Sequence, residues 1–204
     1  MKFKICGMRE KENIRLIASQ QPDYMGFIFY AASPRFVGND FVVPDDLPST
    51  VVPVGVFVNE EVSVIESTAR RAGFKTVQLH GSETPDQCLA LKEKGYTVIK
   101  VFSVDDAFDF AVTEPYKSVA DYFLFDTKGK YHGGNAKTFD WKILERYDQQ
   151  VPFFLSGGLS PENIAQIHTL KAMNLYALDA NSGVEESPAR KDPEKVKKIL
   201  SYKF

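Results

Sequence analysis

Short β-prone runs alternate with helix-like segments along the whole of this chain, and no other feature restricts its fold as much. The runs fall at residues 2–6, 24–29, 53–58, 76–80, 96–102, 122–126, 152–156 and 175–179. Amphipathic spacing predicts helices over 9–20, 60–72 and 84–94, a short one within 105–112 and another near 140–147. A further helix is expected to be capped by Ser160 with Pro161 at its first position, and a closing helix spans 193–202. After the second run no helical period is found: Gly38, Pro44, Pro48 and Pro53 interrupt it. A strand followed repeatedly by a helix means parallel strands with helical crossovers, and eight such units close a ring. The expected fold is α/β, a single compact (β/α)8 TIM barrel with a weak or missing second helix.

The length of 204 residues suits one sizeable core and lies at the small end for such a barrel, so one domain over residues 1–204 is expected. No Gly/Ser-rich linker or low-complexity run divides the chain. An open doubly wound sheet is the structural rival. It would place a Gly-rich nucleotide turn after the first strand, and Cys6-Gly7-Met8-Arg9 is not one.

Composition narrows the partners. A net charge of -2 offers no basic footprint for nucleic acid. Neither a signal-peptide-like start nor an apolar run long enough to span a bilayer is found, so a cytoplasmic protein with no membrane partner is expected. Two cysteines, Cys6 and Cys88, make no disulfide framework, and His132 and His168 stand in no metal-ligand spacing with them. No metal is therefore expected. The sequence leaves monomer and homodimer equally open.

A barrel of this kind builds its site at the carboxyl ends of its strands. Polar groups gather there: Cys6 ends the first strand, Arg35 follows the second, and His80 ends the fourth. Asp126 ends the sixth, Ser156-Gly157-Gly158 the seventh, and Asn181-Ser182-Gly183 follows the eighth. Strand alternation puts Lys4 and Cys6 on one face, and a neighbouring ammonium is expected to lower the thiol's pKa. The bland alternative is that Cys6 is a small buried apolar residue.

Asp126, after an apolar run, is a candidate general acid whose desolvation would raise its pKa, or else a turn former. His80 is either a substrate contact or a structural histidine. The glycines Gly157, Gly158 and Gly183 let backbone N–H groups approach an oxyanion, and paired turns after the last two strands point to a phosphate. Lys4 and Lys100 are both expected to point inward, at least one of them paired with Asp179 or Asp126.

Taken in order, several segments resemble the phosphoribosylanthranilate isomerase family over nearly the whole chain. They are Lys4-Ile5-Cys6-Gly7-Met8, Ser33-Pro34-Arg35-Phe36-Val37, Val54-Gly55-Val56-Phe57-Val58-Asn59, Val77-Gln78-Leu79-His80-Gly81, Phe139-Asp140-Trp141, Ser156-Gly157-Gly158-Leu159 and Ser182-Gly183-Val184-Glu185. The resemblance implies a cofactor-free Amadori rearrangement of N-(5-phosphoribosyl)anthranilate in tryptophan biosynthesis. It implies Cys6 as general base, Asp126 as general acid and Arg35 as a contact of the anthranilate moiety. Three departures stand out: Gly133-Gly134-Asn135-Ala136 replaces the family's usual Gly-Gly-Thr-Gly, Asn181-Ser182-Gly183 replaces Ser-Ser-Gly, and the stretch 39–50 is short and proline-rich. A sugar-phosphate binder without catalysis and another phosphosugar enzyme are the competing readings.

Overall fold

The computed structural model describes residues 1–127 and 140–202. Eight parallel strands hydrogen-bond in sequence order into a closed ring. They are β1 (Lys2–Ile5), β2 (Tyr24–Ile28), β3 (Val52–Phe57), β4 (Thr76–Leu79), β5 (Thr97–Val104), β6 (Tyr122–Thr127), β7 (Phe153–Leu155) and β8 (Leu175–Ala180). The ring closes where Lys2, Phe3, Lys4 and Ile5 of β1 pair with Ala177, Leu178, Asp179 and Ala180 of β8. This is the expected TIM barrel, and it leaves no open edge.

Alternation along each strand sorts the side chains into two layers. Inward-facing Tyr24, Val54, Ile99, Leu124, Phe154 and Ala177 make an apolar floor. Nearer the carboxyl ends, Cys6, Ile28 and Val56 form a smaller cluster. The outward face carries residues such as Ile5, Phe27, Leu79, Phe123 and Leu178, packed under the surrounding helices. Because both faces are covered, the strands read as nearly continuous apolar runs rather than alternating ones.

The helices are α1 (Lys11–Ala18), α2 (Val62–Ala72), α3 (Pro85–Glu93) and α4 (Pro193–Leu200). Their ends follow local chemistry. Thr84 and Gln87 form a capping box with Pro85 in the first turn of α3, Asp192 caps α4, and Gly73 ends α2 at φ 84°. Short 3-10 segments occupy the remaining crossovers at Phe110–Tyr116, Trp141–Arg146 and Ile164–Leu170. The first of these sits later than the predicted 105–112, where Asp109 supplies the cap.

The helix expected to begin at Ser160 begins at Ile164 instead. Ser160 and Asn163 bond each other's neighbourhood, Ser160 N to Asn163 Oδ1 at 2.9 Å, which makes a turn out of the proposed first turn of helix.

Between β2 and β3 there is no helix, as the prolines predict. Aromatic packing takes its place: Phe41 lies against Phe27 at a centroid distance of 4.8 Å, and Phe29 stacks on Phe57 at 5.3 Å. The Phe74 ring completes this cluster, 5.6 Å from Phe29. Its position requires a glycine at 55, since a Cβ there would lie 2.3 Å from the ring.

Lys100 corrects a parity expectation. Ile99 and Val101 take the inward positions on β5, so Lys100 faces outward, where it bonds Glu83 at 2.8 Å and the Gly81 carbonyl at 2.7 Å. Glu83, only 1% exposed, also accepts from Asn59 N and Gly81 N. This buried pair fixes the turn that carries His80. Among the described residues no helix is long and apolar enough to cross a membrane.

Gly55→Ala should lower the unfolding free energy by about 1–3 kcal/mol, because the Phe74 ring is held by its aromatic neighbours and cannot move freely. Urea denaturation of both proteins measures this. An unchanged midpoint would mean that the aromatic cluster yields without strain.

Candidate active site

A cleft opens at the carboxyl ends of the strands. Its polar wall comes from Cys6, Gln78, His80, Asp126, Asp179 and Asn181, its turn from Ser156, Gly157, Gly158 and Ser182, and its apolar wall from Ile28, Tyr30, Val56 and Val58. Six of the residues singled out in the sequence, Cys6, His80, Asp126, Gly157, Gly158 and Ser182, therefore meet in one place.

Cys6 follows β1 directly, its N–H donating to the Ala180 carbonyl at 2.9 Å, and it is 4% exposed. Beneath it lies a buried ion pair, Lys4 Nζ to Asp179 Oδ1 at 2.9 Å, which meets the expectation for Lys4. Gly26 on β2 makes the space for both: a Cβ there would lie 2.6 Å from Cys6 Sγ and 3.2 Å from Lys4 Nζ. A side chain at 26 would displace sulfur and ammonium together.

Asp126 lies on β6, separated from β1 along the ring by β7 and β8. One of its oxygens accepts from Thr127 N at 2.9 Å, and the other lies 3.3 Å from His80 Nε2. Gln78 Nε2 stands 3.2 Å from His80 Nδ1. With the amide as donor, Nδ1 accepts and the ring proton sits on Nε2, the nitrogen that faces Asp126.

The two glycine turns pack on each other. A Cβ on Gly183 would fall 2.0 Å from the Leu159 carbonyl oxygen, and one on Gly157, at φ 92°, would fall 2.1 Å from Thr127 Oγ1. Among the described residues, the backbone N–H groups of Gly157, Gly158, Ser182 and Gly183 make no hydrogen bond. Four unpaired donors at one end of a barrel are a ready anion cradle.

Arg35 is placed differently. It packs against Gly7, which at φ 75° leaves room for it, and its guanidinium grips Glu185 with two bonds, Nε to Oε1 at 2.8 Å and Nη2 to Oε2 at 2.7 Å. It stands beside the cleft rather than lining it. Sequence reasoning missed Lys191, which is fully buried and shares Glu185 with Arg35. Its partners Asn13, Asn181 and Glu185 are scattered in sequence, so no local motif announces it. The altered loop at Gly133-Gly134-Asn135-Ala136 lies outside the described residues. No three His, Cys, Asp or Glu side chains among the described residues are grouped as a metal would require.

Electrostatics reverse one expectation. Burial pushes the Cys6 thiol above its ordinary value of 9.0, outweighing the pull of Lys4 and Lys191 in the other direction. The sequence showed the neighbouring ammonium but not how completely the sulfur is buried. Lys4 feels the same desolvation, yet the charges of Asp179 and Cys6 overcome it and hold its pKa above 10.5. Lys191 is pulled down to about 8 by burial despite Glu185, and Glu185 is lowered because Arg35 and Lys191 outweigh its desolvation. Cys88 is also raised, to about 11, by burial. Both thiols of the free protein should therefore stay protonated at neutral pH. Thiolate absorbance near the far ultraviolet should appear only as pH rises above 9.0, the ordinary thiol value. An ionisation well below that pH would contradict the dominance of burial.

With this geometry in place, the comparisons with known proteins agree with one another. The family model described as N-(5'phosphoribosyl)anthranilate (PRA) isomerase matches residues 3–202. The N-(5'-phosphoribosyl)anthranilate isomerase of Phocaeicola vulgatus is 44% identical over 201 residues, covering 98% of this chain and 97% of that protein. Among solved structures, the phosphoribosyl anthranilate isomerase of Thermotoga maritima superimposes with a TM-score of 0.86 at 34% identity, covering 98% of this chain and 97% of that one. A phosphoribosyl anthranilate isomerase in complex with reduced 1-(o-carboxyphenylamino)-1-deoxyribulose 5-phosphate gives 0.82 at 31%, covering 98% and 96%. A match across the full barrel, joined to a cleft holding the residues quoted from its motifs, leaves one conclusion: the chain belongs to the N-(5'-phosphoribosyl)anthranilate isomerase family.

Proposed function

We propose that this barrel converts N-(5-phosphoribosyl)anthranilate to 1-(2-carboxyphenylamino)-1-deoxyribulose 5-phosphate, with Asp126 as general acid and Cys6 as general base. The observation that carries this reading is that a buried thiol and a buried carboxylate, from β1 and β6, line one cleft. An aldose-to-ketose rearrangement needs one proton delivered and another removed around a single sugar, which two such groups can do from different sides.

In this scheme Asp126 protonates the ring oxygen of the ribose. The C1–O bond breaks, and the nitrogen lone pair forms a cationic Schiff base with C1. Cys6, its thiol proton leaving to solvent as the cationic Schiff base forms, then takes the C2 proton as thiolate, and the C2–H electron pair flows through C1 to nitrogen, giving an enolamine. Protonation at C1 and loss of the C2 hydroxyl proton leave the ketone. The cationic Schiff base also favours the thiolate: Lys4 and Lys191 already pull Cys6 in that direction, and the substrate supplies a third positive charge. The positive charge thus offsets part of the desolvation that opposes the thiolate.

Binding follows the two kinds of wall. The phosphate suits the unpaired N–H groups of Gly157, Gly158, Ser182 and Gly183, and the aromatic ring suits the apolar side of Ile28, Tyr30, Val56 and Val58. His80 Nε2, 3.3 Å from an Asp126 oxygen, is placed to orient that carboxyl once the two draw together around a substrate. Arg35 follows β2 beside this cleft, and in this scheme it would have to share its guanidinium between Glu185 and the anthranilate carboxylate. The barrel acts as one domain and needs no cofactor for these steps.

Loss of phosphoribosylanthranilate fluorescence gives the rate. Cys6→Ala and Asp126→Asn should each lower kcat by at least about a hundredfold while circular dichroism stays that of the parent. Turnover near the parent rate in either folded variant would remove that residue from the chemistry.

A further inference from the structure

Lys191 lies in a two-residue strand, β10 (Arg190–Lys191), which pairs with β9 (Glu185–Ser187) beside the end of β8. Its backbone is clamped by the neighbouring helix α1, distant in sequence but next to it in the ring: Asn13 Nδ2 donates to its carbonyl at 2.9 Å, and its N–H donates to Asn13 Oδ1 at 2.8 Å. The ammonium is fully buried and spends its three donors on Glu185 Oε1 at 2.6 Å, Asn181 Oδ1 at 2.6 Å and the Asn181 carbonyl at 3.2 Å. A buried ammonium needs a partner for each of its donors, and this one has all three. The partners it finds include a residue of the cleft itself.

An ammonium can only donate, so the amide branch that meets it must be oxygen. That settles which way Asn181 is turned. Its Oδ1 is held between Lys191 and the space above Gly7, where a Cβ would come within 2.7 Å of it. The other branch, Nδ2, makes no hydrogen bond among the described residues, although Asn181 lines the cleft. A serine hydroxyl at this position would rotate and serve as donor or acceptor. Asparagine with its oxygen pinned can only donate.

We propose that Lys191 is a positioning residue that locks the Asn181 amide with Nδ2 toward the cleft, as a fixed donor to an anionic oxygen of the bound sugar phosphate. This rests on the function proposed above for the ligand's identity, but not on turnover. Glu185 ties the device to the rest of the mouth: its carboxylate holds Lys191 and Arg35 together and accepts from Ala189 N at 3.0 Å.

The test is titration with reduced 1-(o-carboxyphenylamino)-1-deoxyribulose 5-phosphate, a ligand that binds without reacting, together with thermal unfolding and turnover of each protein. Asn181→Asp keeps the shape, replaces the donor by a carboxylate oxygen and adds an ion pair to Lys191. It should bind the analogue at least about tenfold more weakly while its unfolding midpoint holds or rises. Asn181→Ser restores a hydroxyl donor and should stay within about threefold of the parent. Lys191→Met frees the amide to flip and should weaken binding, with less than the parent's loss on a further Asn181→Asp change. An Asn181→Asp protein that binds within twofold of the parent would overturn the proposal, as would failure of the parent to bind the analogue. A parent that binds the analogue but does not turn over the substrate would sink the isomerase reading alone, and the binding ratios would still decide this one.

Discussion

The ion pair between Lys4 and Asp179 is the interaction on which the mouth of this barrel is built. It lies between an apolar floor and the cleft, with both side chains almost wholly out of water. Removing one partner of such a pair costs on the order of 3–5 kcal/mol, since the other is left charged and unsolvated. Packed hydrophobic residues would serve stability as well or better. The pair earns its place through what stands on top of it. Asp179 keeps Lys4 protonated, Lys4 faces the sulfur of Cys6, and Gly26 gives up its side chain so that the two can share the space.

Two buried carboxylates repeat the theme around the rim. Glu83 collects Lys100 and the N–H groups of Asn59 and Gly81, which sets the turn after β4 and the bearing of His80. Glu185 collects Lys191, Arg35 and Ala189 N, which sets the turn after β8. In each case one carboxylate satisfies backbone donors and a lysine at once, so a loop that would be mobile acquires a buried anchor. The site is held rigid from outside the cleft, while the glycine turns are left with donors to spare.

Much of this was legible in the chain itself. Eight alternations of strand and helix gave the ring, and the break at Pro44 and Pro48 marked the crossover that aromatic rings fill. Position at strand ends singled out Cys6 and Asp126, which the ring brings into one cleft, and paired glycines singled out the two turns that pack together beside it. What escaped was anything decided by distant partners or by depth. Lys100 looked inward until β5 was seen to spend Ile99 and Val101 on the interior, and its partner Glu83 sits in a loop. The direction of the Cys6 shift turned on burial, which adjacency to Lys4 does not reveal. Ser160 and Pro161 carried the marks of a helix start, but Asn163 closed them into a turn. Lys191 draws on Asn13 from the other end of the chain, a pairing that only the closed ring creates.

The central claim is that two buried groups from opposite stretches of the ring flank one ribose. A crystal structure of the parent protein with the reduced substrate analogue tests it most directly. The account predicts Cys6 Sγ and an Asp126 oxygen each within about 3.5 Å of the sugar backbone, approaching from different sides, with the phosphate against the turns at Gly158 and Gly183. An analogue seated in the cleft that touches only one of the two groups, or has its phosphate elsewhere, would contradict it.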